Sequence, residues 1–142
     1  DTEDAARIAD ELRLWFAGRG IDTVVDEVRP DLDLLVILGG DGTLLQVASQ
    51  AAACSIPVLG INLGALGFLT EVAKDERHAA LEKILASPLR WEDRLMLKTR
   101  LRTADGTTDW QYALNDVVIS KGNVDRLIEL GAWAGDDYIT TY

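Results

Sequence analysis

Cysteine, histidine and long apolar runs are scarce in this sequence of 142 residues, which has one cysteine and one histidine. Because Cys54 stands alone, no disulfide can form within the chain; this suits a reducing compartment and predicts a cytoplasmic protein. A lone Cys54 and a lone His78 also exclude the Cys/His clusters that hold zinc. No apolar run approaches the length of a membrane span, so the sequence predicts no membrane partner.

Positive charge is scarce as well. The chain has 14 Lys and Arg against 24 Asp and Glu, a formal net charge of −10. This balance disfavours nucleic acid and anionic membranes as partners. The Walker-type Gly-Lys-Thr is absent, and no Gly-x-Gly-x-x-Gly follows the first strand, which disfavours a dinucleotide oxidoreductase. A protein of this charge would need backbone N–H groups, a metal ion or a few local basic side chains to handle phosphates.

The most informative stretch is an apolar run, residues 34–38, that leads into Gly39-Gly40-Asp41-Gly42-Thr43. An apolar run bounded by glycines predicts a strand buried on both faces. We call residues 39–43 the glycine corner. Its glycines allow a tight turn, and the helix predicted after it would direct free N–H groups at the same place. Such a corner suits a phosphate group.

A carboxylate at the centre of the glycine corner needs an explanation, because Asp41 would repel phosphate. It could accept a proton from an attacking hydroxyl, or it could hold a divalent cation. A plain Asp-Gly hairpin turn is the alternative, but the apolar residues that follow favour one helical face over a returning strand. The amides of Gly40, Gly42 and Thr43 could cradle an oxyanion, and the Thr43 hydroxyl could bind phosphate or merely cap the helix.

Strand and helix patterns alternate along the first part of the chain, which predicts an α/β fold with a Rossmann-like parallel sheet and flanking helices. The predicted elements are a helix over 1–19, a short strand over 21–25 and strands over 34–38 and 56–62. A further helix follows the glycine corner and ends at about residue 54, and another covers 75–86.

The pattern changes near residue 90, where strand-like segments and turn signals predict an antiparallel meander. These segments are 94–102, 109–120, 127–134 and 138–142. We therefore predict an α/β domain over 1–89 and the start of a β-rich second domain over 90–142. Three or four strands without a closing element are not expected to form a stable domain on their own. We therefore expect the chain to be truncated at its C-terminus.

Three motifs together resemble those of NAD kinases. They are the glycine corner, the stretch Gly60-Ile61-Asn62-Leu63-Gly64-Ala65-Leu66-Gly67-Phe68-Leu69-Thr70, and Ala113-Leu114-Asn115-Asp116-Val117-Val118-Ile119. The first is shared with diacylglycerol-type and sphingosine kinases, and the other two point to NAD kinase. The resemblance implies ATP-dependent phosphorylation of the adenosine-ribose 2′-hydroxyl of NAD, giving NADP and ADP. It also implies a divalent metal such as Mg²⁺, and homo-oligomers, commonly dimers or tetramers.

The resemblance also implies roles for single residues. Asp41 resembles the proton acceptor for the 2′-hydroxyl, with Gly42 beside it in the NAD site. Asn115 and Asp116 match a motif that holds NAD through polar contacts, although many relatives have Glu where Asp116 stands. The remaining positions expected to bind the nucleotides are Gly40, Thr43, Leu45 beside the adenine, Asn62, Phe68 against the adenine, and Arg126.

Two other functions stay open on the sequence. A lipid kinase of the diacylglycerol type would need an apolar acceptor site, for which the glycine-rich loop offers only Leu66, Phe68 and Leu69. A nucleotide-binding module without activity is the other, because relatives carry a further Asp-Gly and a Thr-Pro-Thr-Gly-Ser-Thr-Ala-Tyr motif after the point where this chain ends. The chain alone is therefore expected not to catalyse.

Overall fold

The structure is a computed structural model that describes residues 2–65, 67–120 and 129–142. Its first part alternates helices and strands, as the sequence predicts. The elements are α1 (Thr2–Ala17), β1 (Leu35–Gly39), α2 (Asp41–Cys54), β2 (Val58–Asn62), β3 (Val72–Ala73), a 3₁₀ turn (Lys74–Glu76) and α3 (Arg77–Leu85).

The strands β1, β2 and β3 form one parallel sheet in that order. Parallel neighbours need a crossover, and α2 supplies it between β1 and β2. Gly39 at the end of β1 lies in register with Asn62 at the end of β2. The two glycine-rich segments therefore leave the sheet side by side at one edge, where open α/β sheets bind ligands. The predicted α/β class is confirmed.

Helices cover both faces of this sheet. On one face Ile61 packs with Ile8 and Leu12 of α1 and with Leu81 of α3, and each of these side chains is at most 4% exposed. Because side chains alternate along a strand, Ile37 of β1 points to the other face, where α2 lies against β1. The sheet edge that carries the glycine corner is thus held by a packed core.

The part after residue 90 consists of short antiparallel pairs, which confirms the predicted change in character. They pair β4 (Leu97–Thr99) with β7 (Gln111–Ala113), β5 (Arg102–Thr103) with β6 (Gly106–Thr107), and β8 (Gly131–Ala134) with β9 (Asp137–Thr141). Among the described residues no side chain after Leu81 is buried. The division into domains at residue 89 stays a prediction.

Two short segments differ from the sequence-based expectation. The predicted strand over 21–25 is wrong, because the amide of Ile21 donates to Phe16 O at 3.1 Å and closes the end of α1. The strand β3 was not predicted, since two residues carry no periodic signal. Part of the predicted strand over 127–134 lies outside the described residues, and β8 accounts for the rest. No helix in the described ranges is long and apolar enough to cross a bilayer.

Candidate active site at the glycine corner

The glycine corner joins β1 directly to α2. Gly40 has an extended backbone and is the N-cap of α2, and its carbonyl oxygen accepts from the amides of Thr43 and Leu44 at 3.0 and 3.3 Å. The amides of Asp41 and Gly42, which come before these two in α2, have no carbonyl oxygen of the helix to donate to and lie at the corner. The helix predicted after the glycine corner is confirmed, although it begins within the corner, at Asp41. The hairpin alternative is wrong.

The Asp41 side chain holds the loop of residues 67–70, which we call the 67–70 loop. Its Oδ2 accepts from the amide of Phe68 at 2.9 Å. Its Oδ1 accepts from the amides of Leu69 and Thr70, each at 3.0 Å, and from the Thr70 hydroxyl at 2.9 Å. A residue at the start of α2 thus ties down a segment 27 to 29 positions away.

Gly67 lies so close to this carboxylate that no side chain fits. A Cβ on Gly67 would stand 2.1 Å from Asp41 Oδ1 and 2.6 Å from its Cγ. Gly60 likewise leaves room for Thr70, because a Cβ on Gly60 would lie 2.7 Å from Thr70 Cγ2. Two glycines of the second motif therefore serve close packing around Asp41 rather than chain flexibility.

Asn62 and Thr70 form a buried hydrogen-bonded network with Asp41. Asn62 Nδ2 donates to Thr70 Oγ1 at 2.7 Å, and the Asn62 Oδ1 accepts from the amide of Gly64 at 2.8 Å. Asn62 is 3% exposed and Thr70 is fully buried. Thr70 was not among the predicted site residues. Its only signal was its place in the second motif, since a threonine in a loop does not reveal that its side chain turns inward.

These contacts lower the pKa of Asp41. The amide of Phe68 lowers it most, desolvation opposes the shift, and the amides of Thr70 and Leu69 and the Thr70 hydroxyl lower it further. All four donors favour the ionised form. Asp41 is therefore a carboxylate at neutral pH, ready to accept a hydrogen bond from a hydroxyl.

Acid is expected to release the 67–70 loop. Because the pKa of folded Asp41 is lowered, its contribution to stability is fully present above the ordinary pKa of an aspartic acid. It is lost as the pH falls through the lowered pKa. Hydrogen exchange measured along an acid titration should show the amides of Phe68, Leu69 and Thr70 losing protection together. The amide of Leu63, which donates to Gly39 O, is the control and should not follow them. Equal loss at Leu63 would contradict the anchoring role of Asp41.

The other predicted site residues are placed as follows. Leu45 is half-buried on α2, and Gly40, Gly42 and Thr43 are exposed. Phe68 is 95% exposed although it follows the Asp41 contact directly. The structure thus brings Asp41, Asn62 and Phe68 together around one loop.

Asn115 and Asp116 lie farther along the chain, just after β7, which packs against α2. Both are exposed, and Asn115 Nδ2 donates to Asp116 Oδ1 at 3.2 Å. Within the described residues neither one is hydrogen-bonded to Asp41 or to the 67–70 loop. Their roles as ligand contacts stay predictions. Arg126 and Leu66 lie outside the described residues.

The donor set at the corner does not by itself make a cation cage. Across residues 2–65, 67–120 and 129–142, no group of three or more His, Cys, Asp or Glu side chains is placed to hold a metal ion. Both oxygens of Asp41 already accept from the 67–70 loop. Both roles that the sequence left open for Asp41, accepting a proton and holding a cation, stay predictions.

Comparison with known proteins gives the same family in three ways. The family model described as the ATP-NAD kinase N-terminal domain matches residues 4–88. The NAD kinase of Heliobacterium modesticaldum is 53% identical over 112 residues, which cover 78% of this chain and 39% of that protein. The NAD kinase of Geobacter metallireducens is 43% identical over 150 residues, covering 95% of this chain and 53% of that protein.

A solved structure, yeast NADH kinase complexed with NADH, is similar with a TM-score of 0.68 and 31% identity. The match covers 78% of this chain and 33% of the yeast chain. The chain spans about half the length, or less, of the curated relatives that it matches.

Proposed function

The chain belongs to the ATP-NAD kinase family, and from this premise we propose that the whole protein transfers the γ-phosphoryl group of ATP to NAD. The acceptor is the 2′-hydroxyl of the adenosine ribose, and the products are NADP and ADP. The observation that carries the proposal is the Asp41 carboxylate, held ionised at the first residue of α2 beside two exposed glycines.

The chemistry needs a proton acceptor and a place for phosphate charge. A sugar hydroxyl is a poor nucleophile near neutral pH, and a carboxylate within hydrogen-bonding reach contributes about 10²–10⁴-fold by taking its proton. The N-terminus of α2 offers backbone N–H groups to phosphate oxygens. We propose that Asp41 is the proton acceptor and that Gly40, Gly42 and Thr43 approach the transferred group.

Two glycines of the corner support a ligand at this place. Apart from its chain neighbours and the backbone of its own helix, a Cβ on Gly40 or on Gly42 would meet no atom of the described residues within 4 Å. Neither has a positive φ, which among the glycines occurs at Gly20, Gly106 and Gly135 in the described residues. Because glycine in a helix is less favourable than alanine by about 1 kcal/mol, the fold alone does not explain Gly42. The close approach of a bound group does.

Gly42→Ala is expected to leave the fold intact and to weaken NAD binding by about tenfold or more, equivalent to about 1.4 kcal/mol, because the added methyl group occupies ligand space. Calorimetric titration with NAD measures the affinity, and thermal unfolding checks stability. Gln46→Ala, an exposed position on the same helix, is the matched control and should bind NAD normally. An unchanged affinity of Gly42→Ala for NAD would show that NAD does not bind close to this corner.

The remaining site residues are proposed to surround the dinucleotide. An aromatic ring that is 95% exposed, as Phe68 is, offers a free face on which a base can stack. We propose that Phe68 stacks on the adenine with Leu45 beside it, and that Asn115, Asp116 and Arg126 contact NAD. We also propose that Asn62 acts on the ligand only through the 67–70 loop, since its polar atoms are engaged within the chain.

Further proposals concern the metal and the assembly. We propose that a divalent cation such as Mg²⁺ accompanies the triphosphate of ATP, because Mg²⁺ is commonly held by substrate phosphates and few carboxylates. We propose a cytoplasmic homo-oligomer. Its support is the single cysteine and the exposed aromatic side chains after residue 90, which are Trp91, Trp110, Tyr112, Trp133, Tyr138 and Tyr142. The proposed division into two domains is supported by the family match, which ends at residue 88.

The direct test of the proposed function is an acceptor assay. The full-length protein is supplied with ATP and either NAD or diacylglycerol, and each phosphorylated product is measured. We expect NADP from NAD and no phosphorylated lipid. Phosphorylation of diacylglycerol alone would instead favour the lipid kinase, and binding of both nucleotides without product would favour a non-catalytic module.

A further inference from the structure

Building on the proposed function, we propose that Thr70, braced by Asn62, is a positioning residue for Asp41. It fixes Oδ1 of the carboxylate and leaves Oδ2 as the oxygen that takes the proton from the ribose hydroxyl. The ribose 2′-oxygen bonds to the γ-phosphorus while its proton moves to Oδ2 of Asp41. The bond between the γ-phosphorus and the ADP oxygen breaks at the same time.

The donors are divided unequally between the two oxygens of Asp41. Oδ1 accepts from the amides of Leu69 and Thr70 and from the Thr70 hydroxyl, at 2.9 to 3.0 Å. Among the residues that the structure describes, Oδ2 accepts from the amide of Phe68 alone, on the exposed side of the loop. An ionised carboxylate has about two acceptor sites on each oxygen. Oδ1 is therefore saturated, and Oδ2 keeps a site for one more donor.

The direction of the Thr70 hydrogen bond is fixed by its neighbours. The amide N–H of Gly64 points at one terminal atom of Asn62, which must therefore be the oxygen. The other terminal atom is then the nitrogen, which donates to Thr70 Oγ1. Because the hydroxyl has only one proton, and its oxygen accepts from Asn62, that proton goes to Asp41 Oδ1.

Burial makes this arrangement difficult to replace. Thr70 is fully buried and Asn62 is 3% exposed, so water has no access to take over their bonds. A carboxylate held by fewer donors could rotate and exchange the positions of its two oxygens. Three donors on Oδ1 hold it in one orientation, which keeps Oδ2 directed at the open side of the corner. Such orientation of a reacting group is a large part of catalysis.

Thr70→Val in the full-length protein tests this role, because valine keeps the shape and removes the hydroxyl. We expect kcat to fall about 10- to 100-fold with KM for NAD nearly unchanged, since a misplaced base costs rate rather than binding. The acid limb of the kcat–pH profile should move to higher pH, because the carboxylate loses a donor that favoured its ionised form. Thr70→Ser keeps the hydroxyl and should restore both kcat and the acid limb.

A Thr70→Val protein with a lowered kcat but an unmoved acid limb would overturn the proposal, because that is the result of a merely structural role. Failure of Thr70→Ser to restore the acid limb would overturn it too. If Thr70→Val does not fold, the exchange rate of the Thr70 hydroxyl proton, measured by NMR in the wild-type protein, tests the network instead. A slowly exchanging resonance is expected, and rapid exchange would refute the network. Absence of NADP formation by the wild-type protein would contradict the proposed function, while the NMR measurement would still decide on the network.

Discussion

Asp41→Asn is expected to lower the rate of NADP formation by about 10²–10⁴-fold while the 67–70 loop stays attached. Asparagine can present its oxygen where Oδ1 of Asp41 accepts from Leu69 and Thr70, so three of the four bonds have a partner. Its NH₂ group then takes the place of Oδ2. It faces the amide of Phe68 and cannot accept a proton. The substitution therefore separates the anchor from the proton acceptor.

The measurement pairs steady-state rates with hydrogen exchange in the full-length protein. In Asp41→Asn the amides of Leu69 and Thr70 should keep their protection and that of Phe68 should lose it, with NAD affinity retained. Asp41→Ala is the matched comparison, since it removes the anchor and the acceptor together and should expose all three amides. A normal turnover rate in Asp41→Asn would eliminate Asp41 as the proton acceptor.

Gly67→Ala should detach the 67–70 loop from the corner. The added Cβ would stand 2.1 Å from Asp41 Oδ1, so either the loop or the carboxylate has to move. Overpacking of this kind costs about 1–3 kcal/mol, and here the displaced group is the proposed proton acceptor itself. We expect a lower melting temperature, loss of protection at Phe68, Leu69 and Thr70, and a loss of activity as deep as that of Asp41→Asn.

Gly64→Ala is the control for stability from the same glycine-rich segment. The atom nearest to a Cβ there is Asn62 Oδ1 at 3.9 Å, an ordinary contact, and the Gly64 amide that donates to it is retained. Its melting temperature and amide protection should match the wild type. If Gly67→Ala melts at the wild-type temperature with its loop still protected, then the close approach to Asp41 does not matter.

The sequence predicted the part of the fold that depends on long local patterns. The apolar runs before Gly39 and before Asn62 became β1 and β2, and the apolar face after Asp41 became α2. The prediction of a strand over 21–25 was wrong because a short apolar run does not show whether a neighbouring strand exists to pair with it. The strand β3 was missed because pairing with Ile61 and Asn62, not its own composition, makes it a strand.

The site was predicted less fully, for a physical reason. A single sequence shows that Asp41 is out of place beside phosphate, which was enough to suggest chemistry for it. It does not show that the carboxylate also anchors the 67–70 loop, because those hydrogen bonds join positions 27 to 29 apart. Thr70 and Asn62 became visible as partners only when the ends of β1 and β2 were placed side by side.

The central claim is that Oδ2 of Asp41, which accepts from the amide of Phe68, takes the proton of the ribose 2′-hydroxyl. A crystal structure of the full-length protein with NAD bound tests it most directly. We predict the 2′-oxygen of the adenosine ribose within about 2.6–3.2 Å of Asp41 Oδ2, with Oδ1 still bound by Leu69 and Thr70. A ribose that lies out of hydrogen-bonding reach of Asp41, with the adenine away from Phe68, would contradict the account.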